Sequence, residues 1–353
     1  MTPLNDFTEV PVIDLGRMGT SGPERQMLAS EVVSICHRIG FFVVTNHGVA
    51  DRIPSRVFET MDHFFSLSTE SKRLIDKLDS AQFRGWEEVG SEQTNNRVDV
   101  REQIDLWSEW PALPARRVPA DQPWLHLLGP NQWPPDHVAA GLKEAVTDWF
   151  DAMGELADRL LSLLAEGLHL ASDHFMRLFG DQPMSLTKLI SYPRTPAGGA
   201  GVNPHHDTGF LTVLAPGPTP GLHVQNHAGE WLAVPPVEGG LVINLGEMLQ
   251  AMTGNYLVAT PHRVITEAPR LSAAYFHGPS LDTRLDPLPL EPSFADAVAA
   301  SEWHSNAGFM AGRQETSEGV AAMAANATAT TYGQQLWNYF SRSYPANMAR
   351  HYG

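Results

Sequence analysis

Apolar and polar positions change rhythm near the middle of the chain. The first half is mostly helical in period. "VPVIDL" (Val10–Leu15) is a short apolar strand candidate, and "GPERQMLASEVVSICHRIG" then places apolar residues at helical spacing and stops at Gly40. "FFVVTNHGV" (Phe41–Val49) has the texture of a buried strand followed by a turn, and "IPSRVFETMDHFFSLSTESKRLI" predicts a second helix. Arg84 to Pro114 is polar, irregular and tryptophan-bearing, and reads as a long surface excursion. The strongest helical stripe lies within Val138–Leu178: Leu142, Val146, Trp149, Met153, Leu156, Leu160 and Leu163.

From Ser185 the period shortens. "LTKLISYP", "GFLTVLAP", "GLHVQN", "EWLAVPP", "GGLVINLG", "HRVIT" and "RLSAAYFHGP" are short apolar runs punctuated by Gly and Pro. Such a series predicts a sandwich, barrel or jelly roll. Ala321–Thr330 is rich in Ala and Thr and reads as a linker; "YGQQLWNYFSRSYP" predicts a closing helix that stops at Tyr344–Pro345. The expectation is an α+β chain whose helical and strand-bearing N-terminal region (residues 1–120) and β-rich catalytic region with its C-terminal helix (residues 121–353) form one integrated unit.

Composition narrows the function. Of 353 residues, 42% are hydrophobic and 18% charged, so a large core is available. The formal net charge of −16 argues against nucleic acid or anionic membrane as a general partner and leaves a small molecule as the expected one. The single cysteine, Cys36, excludes an intrachain disulfide and a cysteine-based zinc site, and fits a reducing compartment. With no basic start followed by an apolar run at the N-terminus, and no membrane-length apolar stretch, the expected location is the cytoplasm.

The chemistry concentrates in "NPHHDTGFLTVL" (Asn203–Leu214). Residues i and i+2 share one face of a strand, so His205 and Asp207 point together and His206 points away. Imidazole plus carboxylate is a first-row metal pair. A second histidine would complete the facial set of non-haem Fe(II) oxygenases, which leaves open positions for a co-substrate and O2. With 15 histidines in the chain, position must choose, and "TGNYLVATPHRVI" places His262 at the edge of a later strand.

"PVIDL", "CHRIGFFVVTNHGV", "HHDTGFLTVL", "GGLVINLGEMLQAMTGNYLVATPHRV" and "RLSAAYF" occur in an order that resembles the isopenicillin N synthase-like branch of the Fe(II)/2-oxoglutarate-dependent oxygenases. The resemblance runs from about Val10 to Phe276 and returns near the C-terminus. It implies a double-stranded β-helix core, metal ligation by His205, Asp207 and His262, and Fe(II), 2-oxoglutarate and O2 as the reacting group. His206 occupies the variable middle position, and His47 falls in the structural "NHG" turn. Arg270 and Ser272, on one strand face, match the family's Arg-x-Ser pair; a guanidinium fork and a hydroxyl suit the distal carboxylate of 2-oxoglutarate. Tyr192 sits where relatives place a tyrosine near that carboxylate. Lys188, on the same strand face, would enter the same pocket. Ile190 replaces a common asparagine, and Glu247 replaces a common aspartate. Trp86, Trp107 and Trp110 are candidates for a substrate mouth or, equally, for core or surface packing.

Within the branch, "INLGEMLQAMTGNYLVATPHRVITEAPRLSAAYFHGP" and "TTYGQQLWNYFSRSYP" resemble the bacterial ethylene-forming enzyme and plant homoarginine hydroxylases. "GSEQT" is similar to the loop that holds the cationic end of an arginine, which implies that Glu92 and Thr94 face a substrate guanidinium or amine, and that Arg342 and Tyr344 face its carboxylate or neighbouring groups. Thr208 and Ser272 depart from the ethylene-forming pattern and favour hydroxylation. The alternatives are a 2-oxoglutarate-independent oxidase, in which the Arg-x-Ser pair holds the substrate's own carboxylate, and a non-catalytic jelly-roll binding protein. The oligomeric state has no signature in the sequence.

Overall fold

A computed structural model describes residues 7–19, 22–94, 97–195, 199–306 and 331–353. The Ala321–Thr330 segment expected to be a linker lies outside the described residues.

The N-terminal region supplies the supporting layer. Strand β1 (Val12–Asp14) pairs in parallel with β2 (Phe41–Thr45), and helix α1 (Pro23–Arg38) connects them. Gly40 ends α1: its backbone sits at φ +66, and a Cβ there would lie 1.9 Å from the carbonyl oxygen of Val258. The second predicted helix is broken in two, α2 (Arg52–Ser66) and α3 (Thr69–Lys72), because the Ser68 side chain accepts from Ser71 N and caps a new start. The long stripe becomes α4 (Leu142–Gly167), followed by α5 (His174–Phe179). Its apolar face, with Trp149, Met153, Leu156 and Leu160 each at most 1% exposed, packs against α1, α2 and the back of the main sheet.

The segment read as an excursion is largely strand. It contains β3 (Gly85–Glu87), a two-stranded ribbon of β4 (Gln93–Thr94) and β5 (Arg97–Val98), and β6 (Glu102–Trp107). In "EQIDLW" the polar Gln103 and Asp105 alternate with the apolar Ile104 and Leu106, and all four are buried. A period-2 strand with charge on its inner face resembles a polar loop when composition is read without the alternation.

The β-rich region adds β7 (Leu186–Tyr192), β8 (Val202–His205), β9 (Leu211–Ala215), β10 (Leu222–Gln225), β11 (Trp231–Ala233), β12 (Leu241–Leu245), β13 (His262–Val264) and β14 (Arg270–His277). Eight strands form one sheet in the order β1-β2-β12-β9-β14-β7-β6-β3, and four form a second in the order β11-β10-β13-β8. Together they make the expected jelly-roll core. Strands from the N-terminal region thus extend both edges of the larger sheet.

Register aligns that sheet's inner face in rows. Arg270 lies opposite Tyr192, and Ser272 opposite Ile190 and then Gln103. Ala274, Lys188 and Asp105 form the next row, and Phe276, Leu186 and Trp107 the one after. After α6 (Glu247–Met252), α7 (Pro292–Ala299) and α8 (Glu302–Asn306), the described chain resumes at α9 (Tyr332–Ser343). Helix α9 stops at Ser343, just before Tyr344–Pro345 as expected, and Pro345 then starts a further helix, α10 (Pro345–His351), because proline is well suited to a first helical position. These last two helices dock on the turn before β3: Asn347 donates to Lys77 O and Ser80 O, and Tyr352 donates to Ala81 O.

Candidate active site

Strands β8 and β13 are antiparallel, and their register sets His205 directly opposite His262. Each ring is held by a backbone carbonyl two residues earlier. Nδ1 of His205 lies 2.9 Å from Asn203 O, and Nδ1 of His262 lies 3.1 Å from Thr260 O. Donation from both Nδ1 atoms leaves each Nε2 as a lone-pair donor. Both Nε2 atoms face one oxygen, Oδ1 of Asp207, at 3.6 Å. The other oxygen, Oδ2, accepts from Thr212 Oγ1 and Asn244 Nδ2, each at 2.6 Å. Among the described residues, this is the one group of His, Cys, Asp and Glu side chains able to hold a metal, its ligand atoms all within 4.8 Å of one another.

Asp207 reaches this position differently from the sequence argument. Strand β8 ends at His205, so side-chain alternation stops before Asp207. The loop is placed instead by the start of α6: Glu247 N donates to Asp207 O, and Gly246 N donates to Phe210 O. A Cβ on Gly246 would lie 2.0 Å from Gly209 O, so the backbones touch there. Gly246→Ala should therefore displace the Asp207 loop and weaken Fe(II) binding by about tenfold or more, the scale seen when supports of metal ligands are lost. Titration with Fe(II) under anaerobic conditions checks this, and wild-type affinity in a folded variant would refute it.

The electrostatics suit a metal. Burial, reinforced by the neighbouring His262, pushes His205 down to about 3 against the pull of Asp207, so the ring is neutral near neutral pH. Burial works against ionisation of Asp207, but His262, His205, Thr212 and Asn244 outweigh it and hold the carboxyl below its ordinary value. A neutral imidazole beside an ionised carboxylate is the ligand form of the His205–Asp207 pair. His206 is turned the other way, with Nδ1 3.8 Å from Oε1 of Glu247. His47 lies elsewhere: its Nδ1 accepts from Val49 N, and its Nε2 donates to Gly239 O.

The Arg-x-Ser pair stands on β14. Arg270 is 3% exposed and Ser272 1%. Nε of Arg270 donates to Thr219 O, and the guanidinium lies over the Tyr192 ring at 5.1 Å. Nη1 of Arg270 and Oγ of Ser272 are both buried without a protein partner. Burial lowers the guanidinium pKa from its ordinary value. A buried cation and an adjacent hydroxyl, both with unused hydrogen-bonding capacity, fit a carboxylate.

A cavity opens beside His205 and Asp207 between the two sheets and α9. Of the candidate substrate residues, Glu92, Thr94 and Tyr344 line it, and so does Lys188. Arg342 does not: it is exposed, and its Nε donates to Asn338 O within the helix. Trp107 lines the cavity, whereas Trp86 donates to Glu102 and Trp110 donates to Pro183 O away from it. Lys188 was expected near the co-substrate; it lies instead one row beyond Ser272, 3.3 Å from Glu92 and 3.2 Å from Asp105.

Sequence reasoning missed several groups here. Arg101 donates to Glu92 at 2.7 Å and lies 3.2 Å from Asp99. Lys77 pairs with Glu87 and Asp105 and donates to the Tyr344 hydroxyl. From α9, Tyr339 and Phe340 complete an aromatic wall. The available signals were the alternation from Arg101 to Asp105 and the helical spacing of Leu336, Phe340 and Tyr344.

Two facing sheets, a two-histidine, one-carboxylate cluster and a buried Arg-Ser pair define a non-haem iron oxygenase that takes a 2-oxo acid. The comparisons agree. Residues 180–279 match the 2OG-Fe(II) oxygenase superfamily, and residues 10–136 match the family described as non-haem dioxygenase in morphine synthesis N-terminal. A 2-oxoglutarate-dependent dioxygenase of Dothideomycetidae sp. is 31% identical over 297 residues, 81% of this chain and 78% of that one. The chain belongs to the 2OG-Fe(II) oxygenase superfamily and is a 2-oxoglutarate-dependent dioxygenase. A homoarginine-6-hydroxylase of Arabidopsis thaliana is 28% identical over 300 residues, 80% of this chain and 88% of that one. Among solved structures, the dioxygenase for auxin oxidation in rice has a TM-score of 0.61 at 25% identity, covering 80% of this chain and 87% of that one, a likeness of fold. No helix among the described residues is long and apolar enough to cross a membrane.

Proposed function

We propose that the enzyme hydroxylates a small molecule of the basic amino-acid type, such as arginine or homoarginine. The observation that carries this is a cavity in which the acids Glu92 and Asp105 stand beside the His205–Asp207–His262 cluster under an aromatic wall. The homoarginine hydroxylases among the relatives support the same substrate class.

In this reading His205, Asp207 and His262 hold Fe(II), while Arg270 and Ser272 hold the distal carboxylate of 2-oxoglutarate with Tyr192 against the guanidinium. Iron, 2-oxoglutarate and O2 together supply the oxidation: one oxygen atom goes to a substrate C–H, the other to succinate, and CO2 leaves. The chain's own work is placement. Glu92 and Thr94 meet the cationic end of the substrate. Trp107, Tyr339, Phe340 and Tyr344 flank its stem and exclude water. Arg342 lies outside the cavity, and the described cavity-lining cations Lys188 and Arg101 are both paired with Glu92, so the described residues grip the cationic end and the stem of the substrate. Fixing the distal end and stem of a flexible substrate selects which carbon is oxidised and favours near-attack placement.

The test is succinate release driven by arginine, homoarginine, lysine and neutral amino acids, repeated on Glu92→Gln. Basic amino acids should couple turnover. The substitution should raise their KM by tens-fold, because losing one partner of a buried charged contact commonly costs about 2–5 kcal/mol. Coupling by neutral amino acids alone would reject the reading.

A further inference from the structure

The wall behind Glu92 holds more charge than one ion pair. Four carboxylates, Glu87, Glu92, Asp99 and Asp105, are linked through three cations, Lys77, Arg101 and Lys188. Glu92, Arg101, Asp105 and Lys188 face the cavity, and the others lie behind them. None of these side chains is more than 13% exposed where it makes its ion pair. The neighbouring Lys72–Glu102 pair is closed on itself, with Trp86 also donating to Glu102.

With every group ionised, the cluster among the described residues carries one uncompensated negative charge. An unbalanced buried charge is strongly disfavoured, so a balancing positive charge is expected. An unused acceptor marks where it could sit: Oδ1 of Asp105 is buried without a partner, on a residue that lines the cavity and is 1% exposed.

Building on the basic-substrate reading, we infer that the substrate's distal cation completes this cluster at Asp105, and that its entry expels one proton held by the cluster in the free enzyme. No covalent or redox step is involved; the proton passes to solvent as the cation takes its electrostatic place.

Glu87 is the group suited to hold that proton. It is flanked by Lys77 from the preceding turn, Gln103 and Asp105 from β6, and Lys188 from β7. Glu92 of the ribbon loop acts on it from the cavity side, and the uncharged Tyr339 of α9 and Tyr344 from the turn after it approach as well. Burial raises its carboxyl above the ordinary value; Lys77 opposes this, while Glu92 and Asp105 add to it. Glu92 is held well below its ordinary value: burial opposes ionisation, but Arg101 and Lys188 outweigh it. The proton therefore belongs on Glu87, and Glu92 remains the anion. Affinity for a cation should rise with pH until Glu87 is ionised in the free enzyme, then level off. It falls only once the substrate's own cation deprotonates.

The experiment is calorimetric titration of the Fe(II)- and 2-oxoglutarate-loaded enzyme, without O2, with arginine and homoarginine. Two buffers of different ionisation enthalpy are used at several pH values. In the acid range, close to one proton should be released per ligand bound, and affinity should rise about tenfold per pH unit. Glu87→Gln should abolish the release, flatten the pH dependence and weaken cation binding. Asp105→Asn should narrow the preference for arginine over its neutral isostere citrulline. Binding of arginine or homoarginine with the same heat in both buffers throughout the acid range, or an unchanged pH dependence in Glu87→Gln, would overturn this inference and leave the basic-substrate reading standing. If neither ligand binds at any pH, both fall.

Discussion

Alanine at His205, Asp207 or His262 removes stoichiometric Fe(II) binding and 2-oxoglutarate turnover, while His206→Ala keeps both. That is the expected result for one donor cluster in which each ligand atom is already aimed. The Nδ1 contacts to Asn203 O and Thr260 O fix the two rings, and Thr212 and Asn244 fix the carboxylate. Two remaining ligands would form a weak site, and no other described group of ligating side chains stands nearby to replace the third. His206 differs because its ring turns toward Glu247. Its loss should change packing at the cavity rim by a few-fold in KM at most. Anaerobic Fe(II) titration, with circular dichroism as the folding control, separates the cases. Iron binding that survives His262→Ala and disappears in His206→Ala would invert the assignment.

Much of this site could be read from residue order alone, and the failures have physical causes. His205 and His262 are legible because strand register brings them together at fixed positions in a jelly roll. Asp207 was assigned to the same face by alternation, although the strand ends at His205 and the α6 backbone places the loop. Helices α1, α2 and α4 follow from their apolar stripes. Strand β6 was missed because its inward residues are Gln103 and Asp105, and charge on an inner face reads as solvent exposure until the partners are known. Those partners come from widely separated segments: Lys77, Glu87, Glu92 and Lys188 meet only after β3, β6 and β7 have paired. Arg342 shows the opposite error. A motif near the C-terminus suggested a substrate contact, but Tyr344, just past the end of α9, is buried at the cavity while Arg342 in the last turn is exposed and bonds back to Asn338 O.

Arg270→Ala should raise the KM for 2-oxoglutarate by tens-fold to thousands-fold and leave Fe(II) affinity near wild type. The guanidinium is buried beside Ser272, leans on Tyr192 and spends Nε on Thr219 O, so Nη1 has no protein acceptor. A carboxylate arriving there would gain a desolvated, charge-assisted contact. Removing its partner commonly costs about 2–5 kcal/mol, and each 1.4 kcal/mol is roughly tenfold. Ser272→Ala deletes a single hydrogen bond to the carboxylate and leaves the guanidinium in place; such a bond is worth about 1.5–3 kcal/mol, so its KM should rise by roughly tenfold or more but less than in Arg270→Ala. The order of the two variants matters as much as their size. A steric defect in β14 would reduce turnover at saturating 2-oxoglutarate, whereas loss of the carboxylate grip should be largely overcome by raising its concentration. Steady-state kinetics with 2-oxoglutarate varied, and 2-oxovalerate as a co-substrate lacking the distal carboxylate, distinguish them. The wild type should strongly prefer 2-oxoglutarate, and Arg270→Ala should lose most of that preference. A variant that keeps the preference would place the carboxylate on another cation, and Lys188 and Arg101 would be the next to test.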